Sequence, residues 1–338
     1  MKTKRILIDH GSGGLATKEL IDELFRPLLS NPWLNRMEDS ALIQAPEGKK
    51  IAFTTDSYVI DPIFFPGGDI GSLSMHGTIN DLAMQGAEPA ALSLGLILEE
   101  GLLMDELYKI ALSLQKVSQQ TGIPIVTADT KVVPKGKGDK IFINTSGIGY
   151  VKEGIELGSD LAVKGDAVIV SGTIGDHGVA IMGTRAGLGL DTTIKSDTAP
   201  LHELTHFLLE KFGSSIKCFR DPTRGGLATV LSEIATASQV EIIIEEAAIP
   251  IKPQVQSVCD LLGLDPLYLA NEGKLIAIVD GSVAKDVLHA MHQTELGKDA
   301  ALIGTIHHSD RQRTVLQTAI GGKRLLEPLS GEPLPRIC

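Results

Sequence analysis

The sequence predicts an α/β protein of two layered α+β domains. Strands alternate with amphipathic helices between residues 40 and 150. A second run of the same broad layout begins near Gly165, without a strict sequence repeat. The 338 residues, at 35.9 kDa, correspond to about two domains of ~100–200 residues each.

The elements follow in order. Residues 1–39 form an N-terminal segment. In it an apolar Ile6–Ile8 leads to Gly11, Gly13 and Gly14, and Leu20, Ile21, Leu24, Phe25 and Leu28 recur at helical spacing. Asn31, Pro32 and Pro46 mark a connection. In the first domain, 40–150, a strand over Ile51–Thr55 ends at Asp56. A helix through Ile70, Leu73, Ile79, Leu82 and Ala83 stops at Gly86. Strands are expected over Ala91–Leu98, Ile125–Ala128 and Ile141–Tyr150, and a helix through Leu107, Ile110, Ala111, Leu114 and Val117 is closed by Gly122. The second domain, 151–326, reads as a strand over Ala167–Ser171, helices at 178–188, 201–212 and 225–238, and strands at 241–244, 275–279 and 301–306. Residues 327–338 carry Pro328, Pro333 and Pro335, which forbid a helix and predict a mobile arm ending in Cys338.

Composition narrows the function. Hydrophobic residues at 43% and charged residues at 22% are those of a globular chain, not a disordered one. A net charge of −11, a pI near 5.3 and 4% aromatics argue against nucleic acid as a partner. Apolar runs such as 90–98 fall short of the ~20 residues of a membrane span. The first residues lack a signal-peptide core, and three unpaired-looking cysteines suit a reducing cytoplasm.

Several residues are suited to chemistry, each with a plainer alternative. Asp56 and Asp129 end expected strands, Asp69 and Asp221 lie in Gly- or Pro-containing loops, and Asp81 sits on a helix. Converging carboxylates bind Mg²⁺ together with substrate phosphates; single aspartates cap helices and turns. The run His10-Gly-Ser-Gly-Gly14 and the Arg224-Gly-Gly run each precede a helix, where backbone N–H groups receive phosphate, or form plain turns. No Gly-Lys-Ser/Thr follows, so neither is a P-loop. Lys131 is placed to neutralise a transferring phosphoryl group or is a solvated surface lysine. Glu272 is a general base if buried, or a turn residue. The nine histidines show no metal-ligand spacing. Cys338 ends an arm that reaches at most ~40 Å at about 3.3 Å per residue, and is either a carrier of a thioester-like adduct or a terminal thiol without a role.

These runs together resemble the hydrogenase-maturation carbamoyl dehydratase (HypE) family over essentially the whole chain. The matching segments are His10–Gly14, Thr54-Thr-Asp-Ser57, Phe65–Gly71, Asn80-Asp-Leu-Ala83, Ala128–Val132, Asp221–Gly226, Asn271-Glu-Gly273 and the terminal Pro335-Arg-Ile-Cys338. None departs from the family's pattern, and the ending is its most specific mark. The resemblance implies a two-domain fold of the aminoimidazole ribonucleotide (AIR) synthetase and selenophosphate synthetase (PurM-like) superfamily, a homodimer, and ATP with Mg²⁺. It implies nucleotide contacts from His10, Gly11, Gly13, Gly14, Asp56, Asp69, Asp81, Asp129, Asp221 and Arg224, with Asp56, Asp81, Asp129 and Asp221 holding the metal. It implies a carboxamide on Cys338, placed by the carbamoyltransferase HypF, dehydrated to a thiocyanate and passed to the scaffold pair HypC–HypD. Lys131 would offset phosphoryl charge and Glu272 would take the amide proton. Two other readings remain at this point: a superfamily enzyme making selenophosphate or a purine precursor, which does not need Cys338, and a non-catalytic thiol carrier or metallochaperone, which does not need ATP.

Overall fold

The computed structural model describes residues 4–11, 15–36, 46–185, 194–328 and 337. The N-terminal helix runs as α1, Leu15–Leu20, through a π turn at Ile21–Phe25 into α2, Arg26–Leu29. Then come β1, Lys50–Tyr58, the short hairpin β2, Phe64–Phe65, with β3, Gly68–Asp69, and α3, Ile70–Met84. These are followed by β4, Ala87–Glu99, α4, Met104–Thr121, β5, Ile125–Val133, and β6, Ile141–Val151.

The sheet order is β1-β6-β4-β5, with only the β4–β5 pair parallel. Several strands are longer than the sequence predicts; β4 starts at Ala87 rather than Ala91, and β1 and β5 carry site candidates. Alternation in β1 continues past Thr55, because Asp56, Ser57 and Tyr58 pair with Thr145, Asn144 and Ile143. In β5, pairing with β4 carries the strand to Val133. Asp56 and Asp129 therefore lie inside strands, not at their ends.

One face of this sheet is covered. There α4 buries Leu107, Ile110, Ala111, Leu114 and Val117, and each large apolar side chain so buried stabilises by about 1.5–3 kcal/mol. Against the same core, α3 is buried on nearly every side, as a helix between two layers must be. The other face is uncovered: Ile51 is 60% exposed and Phe53 70%, with Ile97 and Val59 also exposed.

The second half contributes β7, Ala167–Val170, α5, Asp176–Arg185, α6, His202–Phe212, β8, Ile216–Arg220, α7, Gly226–Ala237, and β9, Glu241–Glu245. It continues with α8, Pro253–Leu262, β10, Ile276–Val279, α9, Ala284–His292, β11, Ala301–His307, β12, Arg313–Gln317, and β13, Lys323–Leu326. Its sheet order is β13-β12-β9-β11-β7-β10-β8. The sequence does not anticipate β12 and β13, which are short; pairing of β12 parallel to β9 and of β13 to β12 holds them in place. The two halves meet where Ala83 and Met84 of α3 pack with Leu204, Leu208 and Leu209 of α6. Among the described residues, no helix is long and apolar enough to cross a membrane.

The tail departs from expectation at one point. Ile337 is buried, 6% exposed, within the core under the first sheet. Gly13, Gly14 and Cys338 lie outside the described residues.

Candidate active site

Residues far apart in sequence line one cavity of about 180 Å³: Asp56 and Tyr58 of β1, Asp81 of α3, Asp221 and Arg224 of the loop before α7, and Glu272. It shares Asp81, Asp221 and Arg224 with an adjoining groove of about 830 Å³ that runs along β1. Alternation in β1 sets Thr54, Asp56 and Tyr58 on the face toward α3. There the Thr54 hydroxyl donates to Asp81 Oδ2 at 2.9 Å. Gly77 makes the approach possible, since a Cβ there would collide with the Tyr58 hydroxyl. Gly226, at φ +60°, lies against the carbonyls of Leu267 and Leu269, which leaves no room for a side chain where the Asp221 loop turns into α7.

The electrostatics are those of a site short of positive charge. Burial pushes the Asp81 carboxyl up to about 7, with Asp221 and Asp56 adding to the rise and Thr54 and Arg224 opposing it. Asp221 is raised by burial, with Asp56 adding. Glu272 is raised well above the ordinary range, first by burial, then by Asp197, Asp221 and Asp56. Arg224 Nη2 stands 3.6 Å from Asp56 Oδ1 and offsets only part of this charge. Among the described residues, no three His, Cys, Asp or Glu side chains are already set to hold a metal ion alone. Carboxylates that raise one another's pKa in a groove suit Mg²⁺, which keeps its waters and takes one or two carboxylates together with substrate phosphates.

Glu272 is 3% exposed and rigidly hung. Its N–H donates to Asp197 Oδ1 at 3.0 Å, and its carbonyl accepts from Asn80 Nδ2 at 3.2 Å. Its Oε1 is buried without a hydrogen-bond partner. Asp197 escaped the sequence reading, and Asn80 and Thr54 entered it only as members of matching segments, without a role of their own. Thr54 was legible as the same-face neighbour of Asp56, whereas nothing local marked Asp197. Also unmarked was His177, the second residue of α5, whose Nε2 donates to the Ile337 carbonyl at 2.7 Å.

Asp129, Lys131, His10 and Gly11 are not brought to this cavity within one chain. Asp129 and Lys131 are exposed on β5, at the opposite edge of the sheet from β1. Three strand spacings, about 14 Å, separate those edges. The pairings Ser57–Asn144, Asn144–Gly95 and Gly95–Asp129 put Asp129 on the uncovered face, and Ile97–Lys131 puts Lys131 there too. His10 and Gly11 belong to a 3-10 turn over Ile8–Gly11 packed by β5. His10 Nδ1 lies 2.9 Å from the Leu7 N–H, and the residue is buried.

Asp69, expected at the nucleotide, caps a helix. Its Oδ1 accepts from the N–H groups of Gly71 and Ser72, the Ser72 hydroxyl closes a reciprocal capping box, and the Ser113 hydroxyl donates to Oδ2. Both oxygens are occupied in holding α3 and α4 together. Asp69→Ala is expected to lower stability by about 1–2 kcal/mol in urea unfolding, with nucleotide affinity unchanged in a titration of the folded variant.

Residues 37–151 match the AIR synthase related protein N-terminal domain, and residues 163–317 match its C-terminal domain. Carbamoyl dehydratase HypE of Rhizobium leguminosarum bv. viciae is 50% identical over 334 residues, covering 99% of this chain and 95% of the relative. A crystal structure of hydrogenase maturation protein HypE in complex with ATP superposes with a TM-score of 0.94 at 46% identity, covering 98% of this chain and 99% of that one. The HypE chain of a HypE–HypF complex is 45% identical with a TM-score of 0.80, covering 92% and 99%. With both domain families matched and half its residues shared with a full-length relative, the chain belongs to the carbamoyl dehydratase HypE family.

Proposed function

We propose that this protein uses ATP to dehydrate an S-carboxamide carried on Cys338 to a thiocyanate, which supplies the cyanide ligands of the [NiFe]-hydrogenase iron. The observation that carries this reading is the convergence of a buried glutamate, Glu272, with Asp56, Asp81 and Asp221 in one cavity. A proton acceptor and a site for a cation-bound polyphosphate then adjoin.

The chemistry follows from leaving groups. An amide oxygen leaves poorly and phosphate leaves well. The carboxamide oxygen attacks the γ-phosphorus and ADP departs. The nitrogen gives up its two protons over the sequence, the C–O bond breaks, phosphate leaves, and the C≡N bond is complete. Glu272, buried and raised in basicity, takes a proton from nitrogen. Asp56, Asp81 and Asp221 would hold Mg²⁺, and bound Mg²⁺ supplies positive charge to the phosphates. Arg224, on the cavity wall, faces the same anionic groups. Carbamoylation by HypF and delivery to HypC–HypD complete the assignment, and the reactions belong in the cytoplasm.

A homodimer completes the site in this reading. Asp129, Lys131 and the His10 turn are on the β5 side, and the uncovered face presents Ile51, Phe53 and Ile97. A second copy seated on that face, β5 against the first copy's β1, would bring Lys131 toward the transferring phosphoryl group and Asp129 toward the carboxylates that would hold Mg²⁺. Sedimentation at micromolar concentration is expected to give twice the 35.9 kDa chain mass. Phe53→Asp is expected to give the single-chain species with turnover largely lost; a native protein that sediments as one chain refutes the arrangement.

The function is tested by intact mass. Chain incubated with HypF, carbamoyl phosphate and ATP is expected to gain a carbamoyl group on its last peptide and then lose one water. Water loss without ATP, or none with it, sinks the assignment.

A further inference from the structure

We propose that His177 is a positioning residue that docks the tail tip through the Ile337 carbonyl and so aims the group on Cys338 at Glu272. The aim toward Glu272 rests on the function proposed above; the dock itself does not.

The hydrogen bonds fix the tautomer. A carbonyl oxygen only accepts, so the 2.7 Å contact with Ile337 requires a proton on His177 Nε2. In the neutral ring Nδ1 then accepts, and its partner at 2.8 Å is the Ser196 hydroxyl. Ser196 Oγ in turn accepts from the Thr198 N–H at 3.1 Å, which leaves its own proton for the imidazole. The ring is fully buried, and Phe65 meets it edge-on at 86° with centroids 5.6 Å apart. Burial favours the neutral ring, against an opposing pull from Asp197.

The same groups tie the dock to Glu272. Asp197, next to Ser196, accepts from the Glu272 N–H. On the other side of His177, the Gly175 N–H donates to Asn271 Oδ1 at 2.8 Å and the Gly178 N–H to the Ala270 carbonyl at 3.2 Å. The donor that holds residue 337 is thus braced on both sides against residues 270–272. One peptide unit beyond Ile337 is the Cys338 thiol-bearing residue. Nothing else in the proposed chemistry requires a buried imidazole here.

The test is alkylation of the full chain by iodoacetamide, followed by mass on the last peptide. Cys218 and Cys259 are buried and serve as internal controls. His177→Phe keeps ring bulk and removes the donor. It is expected to speed Cys338 alkylation roughly three- to tenfold, the size of one lost buried hydrogen bond. His177→Gln, which keeps a donor, is expected to restore part of the protection. Ser196→Ala leaves the ring in place, releases its tautomer and is expected to give a smaller acceleration. In single-turnover dehydration the same order of variants is expected, with ATP affinity unchanged. Equal Cys338 alkylation in native, His177→Phe and Ser196→Ala proteins overturns the dock. Faster alkylation with an unchanged dehydration rate overturns the positioning role. A native chain that never dehydrates its carboxamide refutes the proposed function, and alkylation still decides the dock.

Discussion

Cys338→Ala protein is expected to bind ATP like the native chain and to form no thiocyanate. The cavity-lining groups Asp56, Asp81, Asp221 and Arg224, proposed to face the phosphates, all belong to the body of the protein, so removing the terminal thiol leaves them intact. Neither remaining cysteine replaces the carrier. Cys218 and Cys259 are buried, and burial pushes both thiols up to about 11. At neutral pH almost none of either is the thiolate that accepts an acyl-type group. The readout is peptide mass after HypF, carbamoyl phosphate and ATP, compared with a separate nucleotide titration. A carbamoyl gain and water loss on a peptide holding Cys218 or Cys259 would contradict the arm mechanism. Arm length enters as well. Removing two residues just before Pro335 is expected to keep carbamoylation and impair dehydration, because the adduct then stops short of the site in which Glu272 lies.

What the sequence made legible depends on how local the cause is. The helical spacing of Leu107, Ile110, Leu114 and Val117 and the stop at Gly122 are local, and α4 follows them closely. The Asp221-Pro-Thr-Arg-Gly-Gly run is local too, and its loop reaches the cavity. Strand ends are not local. Asp56 and Asp129 looked like strand termini because apolar alternation fades there, yet cross-strand pairing with β6 and β4 continues each strand. Asp69 carried two readings, cap or ligand; the bonds from Gly71 and Ser72 that make it a cap are local, whereas the bond from Ser113 on α4 is not. The gathering of Asp56, Asp81, Asp221 and Glu272 needs contacts across most of the chain, as does the meeting of His177 with Ile337. No periodicity encodes such contacts, and the tail composition by itself predicted an arm that does not pack.

Glu272→Gln is expected to slow dehydration by about 10²–10⁴-fold, the usual worth of a positioned general base, while ATP still binds. Gln fills the same space and keeps the backbone bonds to Asp197 and Asn80, so the surrounding wall stands. What disappears is a carboxylate whose basicity burial, Asp197, Asp221 and Asp56 have raised and Arg224 only partly lowers. A base acts when deprotonated, so the native single-turnover rate at saturating ATP is expected to rise with pH, with an inflection above the ordinary glutamate value of 4.5. Asp81, raised to about 7, titrates as well, but its proposed role is in nucleotide docking, and saturating ATP is expected to remove its influence. The Gln variant is expected to lose the inflection. Stability moves oppositely. A carboxyl raised in the folded state favours folding fully below its unfolded pKa and loses that contribution as pH climbs through the folded value. Gln cannot ionise, so the nucleotide-free variant is expected to be at least as stable as the native chain at pH 8. A native dehydration rate in the Gln variant would remove Glu272 from the proton transfer, and a loss of ATP binding would move it to nucleotide docking.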